Sequence, residues 1–101
     1  MTLVYADSAL TDLRGISAWY WRKRPEGLEP FLRRLRETLK RIERSPASFP
    51  VALERSGRAL RRARILRSDY SIAFEMRDTD LVVHGVIHGA RDPAEWRRML
   101  E

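Results

Sequence analysis

The sequence predicts an α+β fold in the order β-α-α-β-β-β-α, a helical hairpin packed on a small, mainly antiparallel sheet with a short C-terminal helix. Three observations predict it. Two apolar stripes recur at helical spacing in the first half, Leu10 to Tyr20 and Phe31 to Ile42. Past residue 58 the period becomes alternating: Tyr70, Ile72, Phe74 and Met76 interleave with Ser71, Ala73, Glu75 and Arg77. Short turn-forming clusters then separate the strands, and strands joined so tightly run antiparallel.

In chain order, Leu3-Val4-Tyr5-Ala6 is β-prone and is cut off by Asp7-Ser8, both good helix caps. Leu10, Leu13, Ile16 and Tyr20 predict a first helix over 8–24, with a cationic last turn (Arg22, Lys23, Arg24) and Pro25 as a stop. A second helix is expected from Pro30, a residue suited to the first helical position. Its apolar stripe is Phe31, Leu32, Leu35, Leu39 and Ile42; arginines cover the rest, and Glu37 is spaced to pair with Arg41. The short join makes the two helices an antiparallel hairpin. Residues 45–58, with two prolines and a glycine, read as a connecting loop. Residues 59–67 form a strand with Arg62 and Arg64 on one face and Ala63 and Ile65 on the other. Tyr70 to Arg77 is a half-buried strand. Leu81 to His88 is apolar on both faces apart from its histidines, so it belongs centrally in the sheet, and Gly85 within it predicts a bulge or a close backbone approach. Asp92-Pro93 is an N-cap with proline behind it, opening a helix over 93–100.

The 101 residues are expected to form one domain, 1–101. The charge is basic: twenty Lys plus Arg against fourteen Asp plus Glu, net +6, and arginine dominates. Arginine's planar fork suits phosphate and carboxylate, so an anionic partner is expected, either nucleic acid or an acidic protein segment. With no cysteine there is no disulfide framework, thiol nucleophile or thiolate metal site. The N-terminus lacks a signal-peptide pattern and no apolar run reaches a membrane span, so a soluble cytoplasmic protein with no membrane association is expected.

Five stretches carry a resemblance along nearly the whole chain: Ala9-x-x-Asp12-Leu13-x-x-Ile16; the Phe31, Leu35, Leu39, Ile42, Pro46 series; the basic RRARIL strand; DYSIAFE; and VIHGARDPAEW. In this order and spacing the chain resembles the RelE/ParE superfamily of bacterial type II toxin–antitoxin toxins. The resemblance implies growth arrest, plasmid stabilisation, an acidic or amphipathic segment of a cognate antitoxin wrapped around the toxin in a hetero-oligomer, and no cofactor. It also implies one of two targets. ParE-like members poison DNA gyrase without cutting RNA; RelE-like members are ribosome-dependent mRNA endoribonucleases.

Cutting RNA through its 2′-hydroxyl needs a base, cations for the developing phosphorane charge and an acid for the leaving oxygen. RelE-like enzymes typically place an arginine after the tyrosine of the middle strand, where this chain has Ser71 after Tyr70. They often place a tyrosine near the last helix, where this chain has Trp96, and an indole neither gives nor takes a proton near neutral pH. A gyrase-directed, non-nucleolytic toxin is therefore expected. The alternative is an mRNA interferase using Arg64, His88 and Arg91, and a second alternative is a harmless basic module that binds nucleic acid or protein.

The expected target-binding residues are Arg62, Arg64, Arg67, His88, Arg91 and Trp96. For Trp96 a packing role competes, and for Arg62 and Arg64 a solvated strand face competes. His84 and His88 share the i,i+4 spacing of a helical metal pair, but on a strand that spacing spans about 13 Å, too far for one ion. No metal site is expected; His84 reads as a hydrogen-bonded sheet residue and His88 as the one with a chemical role. Trp19-Tyr20-Trp21 cannot all face one core, so this run is the expected antitoxin or dimer contact.

Overall fold

Strand β1 (Thr2–Tyr5) leads into helix α1 (Asp7–Lys23), a single turn of 3-10 helix at Pro25–Gly27, and helix α2 (Leu28–Arg44). A second 3-10 turn, Pro46–Ser48, precedes β2 (Val51–Arg55), β3 (Arg58–Arg64), β4 (Tyr70–Arg77), β5 (Asp80–His88) and the short helix α3 (Pro93–Arg98). The computed structural model describes residues 1–89 and 93–101. The cap expected at Asp92 and the site residue Arg91 lie outside the described residues. The strands form one five-stranded sheet in the order β1-β5-β4-β3-β2. β1 runs parallel to β5, and the other neighbours are antiparallel.

The α+β architecture, the helical hairpin and the closing helix agree with the sequence reading; several local expectations do not. Residues 45–58 are not all loop, because β2 pairs with β3 across the two-residue Ser56-Gly57 turn. Both turn residues have positive φ (54° and 78°), the twist a tight hairpin needs and the reason glycine stands at 57. β2 was hidden because it is an exposed edge strand whose alternation is broken by a bulge between Val51 and Leu53. Second, α1 begins at Asp7 after Ala6, with no side-chain cap bond. The Ser8 hydroxyl donates instead to the His84 carbonyl, at 2.6 Å. Third, α2 begins at Leu28 rather than Pro30, and Arg41, expected to pair with Glu37, has its guanidinium over the Phe49 ring, 5.4 Å from its centroid.

The helical hairpin covers one sheet face. Phe31, Leu35 and Ile42 of α2 and Ala9 and Ile16 of α1 meet Ala63, Ile72, Phe74, Val83 and Val86 in the main core. Each such large side chain contributes roughly 1.5–3 kcal/mol through apolar burial. Tyr20 joins them with its ring 5.3 Å from that of Phe31, and the turn after α1 closes against it: a Cβ at Gly27 would lie 2.9 Å from the Tyr20 ring. The opposite face is also covered. Leu60, Ala73 and Ile87 pack there against Trp96 and Leu100 at the C-terminal end. β4 is consequently buried on both sides over Ser71–Glu75, not half-buried as its alternation suggested, since a second layer lies behind the sheet.

At the centre of β5 the register shifts: Ala73 pairs with Gly85 but Phe74 with Val83, leaving His84 as the extra residue of a bulge. Gly85 serves close approach too, because a Cβ there would lie 2.8 Å from Met99 Cε and 3.0 Å from Asp12 Oδ2. The edge of β5 beyond the bulge is fastened to α1 by two side chains: Ser8 takes the His84 carbonyl, and Asp12 accepts the Val86 N–H at 3.0 Å. These contacts fix the second half of β5, and with it His88, relative to α1.

Candidate functional site

Pairing through β4 decides which expected site residues share a face. Arg64 pairs with Ser71, and His88 pairs with Tyr70. Paired residues project to the same side and consecutive residues to opposite sides, so Arg64 and His88 stand on opposite faces of the sheet. Arg62, paired with Ala73, lies on the Arg64 face. The sequence reading had joined Arg64 to His88, and the fold separates them.

On the Arg64 face, Trp96 is only 6% exposed and packs in the second core, with the Arg62 guanidinium 4.9 Å from its ring centroid. Its indole is thus a packing surface that Arg62 covers, while Arg64 reaches solvent. Beside them is a buried ionic cluster. Glu75 accepts hydrogen bonds from Arg58 Nε and Nη2, both at 2.8 Å, and its Oε1 lies 2.9 Å from His84 Nε2. Arg58 also donates to the Leu100 carbonyl at 3.3 Å, tying the C-terminal end to the sheet. The Arg58 hydrogen bonds hold the Glu75 carboxyl at about 2, well below the ordinary carboxylate value; His84 adds to the effect and burial opposes it. This cluster uses His84 as a structural sheet residue. Sequence reasoning missed it, having placed Glu75 on the solvent face of β4.

The opposite face ends in a different group. The His88 ring stands edge-on to Tyr70, with centroids 5.3 Å apart, and its Nε2 lies 3.9 Å from Asp69. Trp19, Arg24, Arg67 and Asp69 line one cleft with Tyr70 and His88, of about 440 Å³. Trp19, Tyr70 and His88 also border a larger cleft of about 630 Å³, between α1 and the C-terminal helix, which includes Asp12, Glu95 and Arg98. Arg67 therefore joins His88, as the sequence suggested. Arg24 and Asp69 were missed, because only the packed hairpin brings the end of α1 to the β3–β4 turn. Of the aromatic run, Tyr20 turns inward, while Trp19 is 42% and Trp21 72% exposed, on different sides of α1. The group can bind an anion beside an aromatic surface, and His88 supplies an imidazole within reach. Among the described residues no set of His, Cys, Asp or Glu could hold a metal ion, and no helix is long and apolar enough to cross a membrane.

The helical hairpin, the five-stranded, mostly antiparallel sheet and the short C-terminal helix form the α+β fold of a RelE/ParE-type toxin. The family model for the ParE toxin of the type II toxin–antitoxin system parDE matches residues 3–93, and the chain belongs to that family. Among solved structures it is similar to a chain of the chromosomal ParDE toxin–antitoxin system from P. aeruginosa, with a TM-score of 0.73 and 19% identity. That likeness covers 87% of this chain and 95% of the other, and it concerns the fold. No curated protein sequence matches significantly.

Proposed function

We propose that this chain arrests growth by binding DNA gyrase without cutting nucleic acid, and that a cognate antitoxin neutralises it in the cytoplasm. The single observation carrying the non-nucleolytic reading is the placement of Arg64 and His88 on opposite sheet faces. A phosphorane between them would have the imidazole on one side of the sheet and the guanidinium on the other. The two positions where RelE-like enzymes offer an arginine and a tyrosine add to this. Ser71 and Trp96 are both buried, at 7% and 6% exposure, and neither side chain can transfer a proton near neutral pH. Arg64 and Arg67 remain exposed as target contacts, and Trp19 and Trp21 as antitoxin contacts.

One observation favours the mRNA-cleaving reading: His88 shares a cleft with Arg24 and Arg67, so an imidazole and two guanidiniums do meet, though not in the set the sequence suggested. Mapping mRNA 5′ ends on translating ribosomes while assaying gyrase supercoiling separates the two. Inhibited supercoiling with no new mRNA ends supports the proposal; codon-phased cleavage lost in His88→Ala overturns it.

A further inference from the structure

The turn between β3 and β4 presents an apolar side chain that neither core uses. Ile65 is fully buried in the main core, so Leu66 beside it points outward, and it is 60% exposed. The turn is built to hold that side chain still. The Ile65 N–H donates to the Tyr70 carbonyl at 3.0 Å and closes the base. Within the turn the Ser68 hydroxyl donates to the Ile65 carbonyl at 2.9 Å and accepts the Tyr70 N–H at 3.1 Å. From outside, the Gly89 N–H donates to the Asp69 carbonyl at 2.6 Å, and the Tyr70 ring stands edge-on to Phe31, 5.7 Å between centroids.

Cations flank Leu66 on both sides. Arg64 leaves the turn on the Trp96 face of the sheet, and Arg67 lines the cleft on the opposite face. Both are exposed, and among the described residues neither has a carboxylate within ion-pair distance. Arg67 also holds a φ of 59°, a left-handed conformation that glycine or asparagine takes at less cost, so a long cation stands where a smaller residue would be easier to fold. Arg62 continues the charge along β3, its guanidinium steadied over the Trp96 ring. Asp69, the acid of the turn, lies 3.9 Å from His88.

We infer that this turn contacts duplex DNA, with Leu66 set into the minor groove against the bases and Arg64 and Arg67 on the phosphates of the two flanking strands. A protein partner fits less well. A stable protein interface covers about 800 Å² per partner around an apolar, aromatic-rich centre. Leu66 is the turn's single exposed large apolar side chain. One aliphatic wedge between cations is instead what minor-groove proteins insert at a base step, while their arginines take the phosphates. The chain's net charge of +6 and its pI of about 10.7 suit the same partner. The inference deepens the gyrase reading, since the DNA is then the segment that the enzyme holds, but the contact is measured without gyrase.

The test follows the full chain binding to a duplex of about 20 base pairs with a dye at each end, over a salt series. Anisotropy gives affinity, and energy transfer between the dyes gives the bend. Leu66→Ala is expected to bind about 5–10-fold more weakly, to lose the bend and to keep the parent's salt dependence. Arg64→Ala and Arg67→Asn, the latter suited to the left-handed backbone, should each lower the slope of log affinity against log salt by about 1. Lys40→Ala and Arg44→Ala are the controls: both are exposed, at the opposite end of α2 from the Phe31 that meets Tyr70, and should leave the slope nearly unchanged. Parent-like affinity and bend in Leu66→Ala overturn the inference, as does an equal loss of slope in the controls, which would make the binding diffuse charge alone. If the parent binds no duplex the inference falls, and gyrase inhibition by the same preparation shows that the gyrase reading stands without it. A Leu66→Ala chain that binds and bends DNA normally, yet no longer inhibits gyrase, overturns it in favour of a protein pocket.

Discussion

Glu75 receives two arms of the Arg58 guanidinium, each at 2.8 Å, in a position where only 4% of the carboxylate side chain is exposed. Burying this pair is sustainable because the fork is bidentate and His84 takes up the remaining oxygen capacity. Its charge contribution has a definite pH signature. The Glu75 carboxyl is lowered from its usual 4.5 to about 2 in the folded chain, so the stabilisation is fully present above the unfolded value and is lost as pH falls from 4.5 toward 2. Melting temperatures measured down this range should fall more steeply for the parent than for Glu75→Gln. Parallel curves would show that Glu75 does not carry the acid response. At neutral pH, Glu75→Ala leaves Arg58 and His84 without their acceptor and should cost about 3 kcal/mol.

Trp96 should matter as packing and not as target recognition. Trp96→Ala removes a buried indole from the second core and uncovers Arg62, and should cost about 3–5 kcal/mol in urea unfolding. Trp96→Phe keeps most of the apolar volume, so it should lose less stability and keep growth arrest. A well-folded Trp96→Phe that has lost all toxicity would mean that the indole itself meets the target.

At Gly85 both α1 and the C-terminal end approach β5 closely. In Gly85→Ala the new methyl meets Asp12 Oδ2, which holds the Val86 N–H, and the flexible end of Met99. Met99 can swing away, but Asp12 cannot without giving up its hydrogen bond. The expected cost is about 1–3 kcal/mol, with faster hydrogen exchange at the Val86 amide. Unchanged protection at Val86 would mean that the strand edge does not depend on Asp12.

Gly15 is the opposite case. It lies inside α1, and a Cβ there meets nothing within 4 Å. Gly15→Ala should therefore stabilise the free chain by about 0.5–1 kcal/mol, through lower backbone entropy in the unfolded state. A loss of stability would reveal a packing contact at this position.

Much of this architecture was legible because it follows from period alone: the stripes of α1 and α2, the alternation of β4 and the apolar run of β5 each encode one buried side. What escaped depended on partners distant in sequence. β2 reads as loop because an exposed, bulged edge strand has little alternation to detect. Glu75 reads as solvent-facing because nothing local announces that α3 and the chain end return behind the sheet. The site was legible in part for the same reason. Arg67 and His88 were named from their own strands, but whether Arg64 could join them depended on strand parity across β4, a property of three strands together. Arg24 entered only when the hairpin folded back over the β3–β4 turn.

The proposed mode of action rests on the separation of Arg64 from His88, and one paired assay tests it most directly. Purified chain is added to gyrase supercoiling reactions and to translating ribosomes, with His88→Ala and Arg64→Ala beside the parent. The account predicts inhibited supercoiling, intact mRNA, weaker inhibition in Arg64→Ala and little change in His88→Ala. Codon-phased mRNA cleavage that both substitutions abolish, with gyrase unaffected, would contradict it.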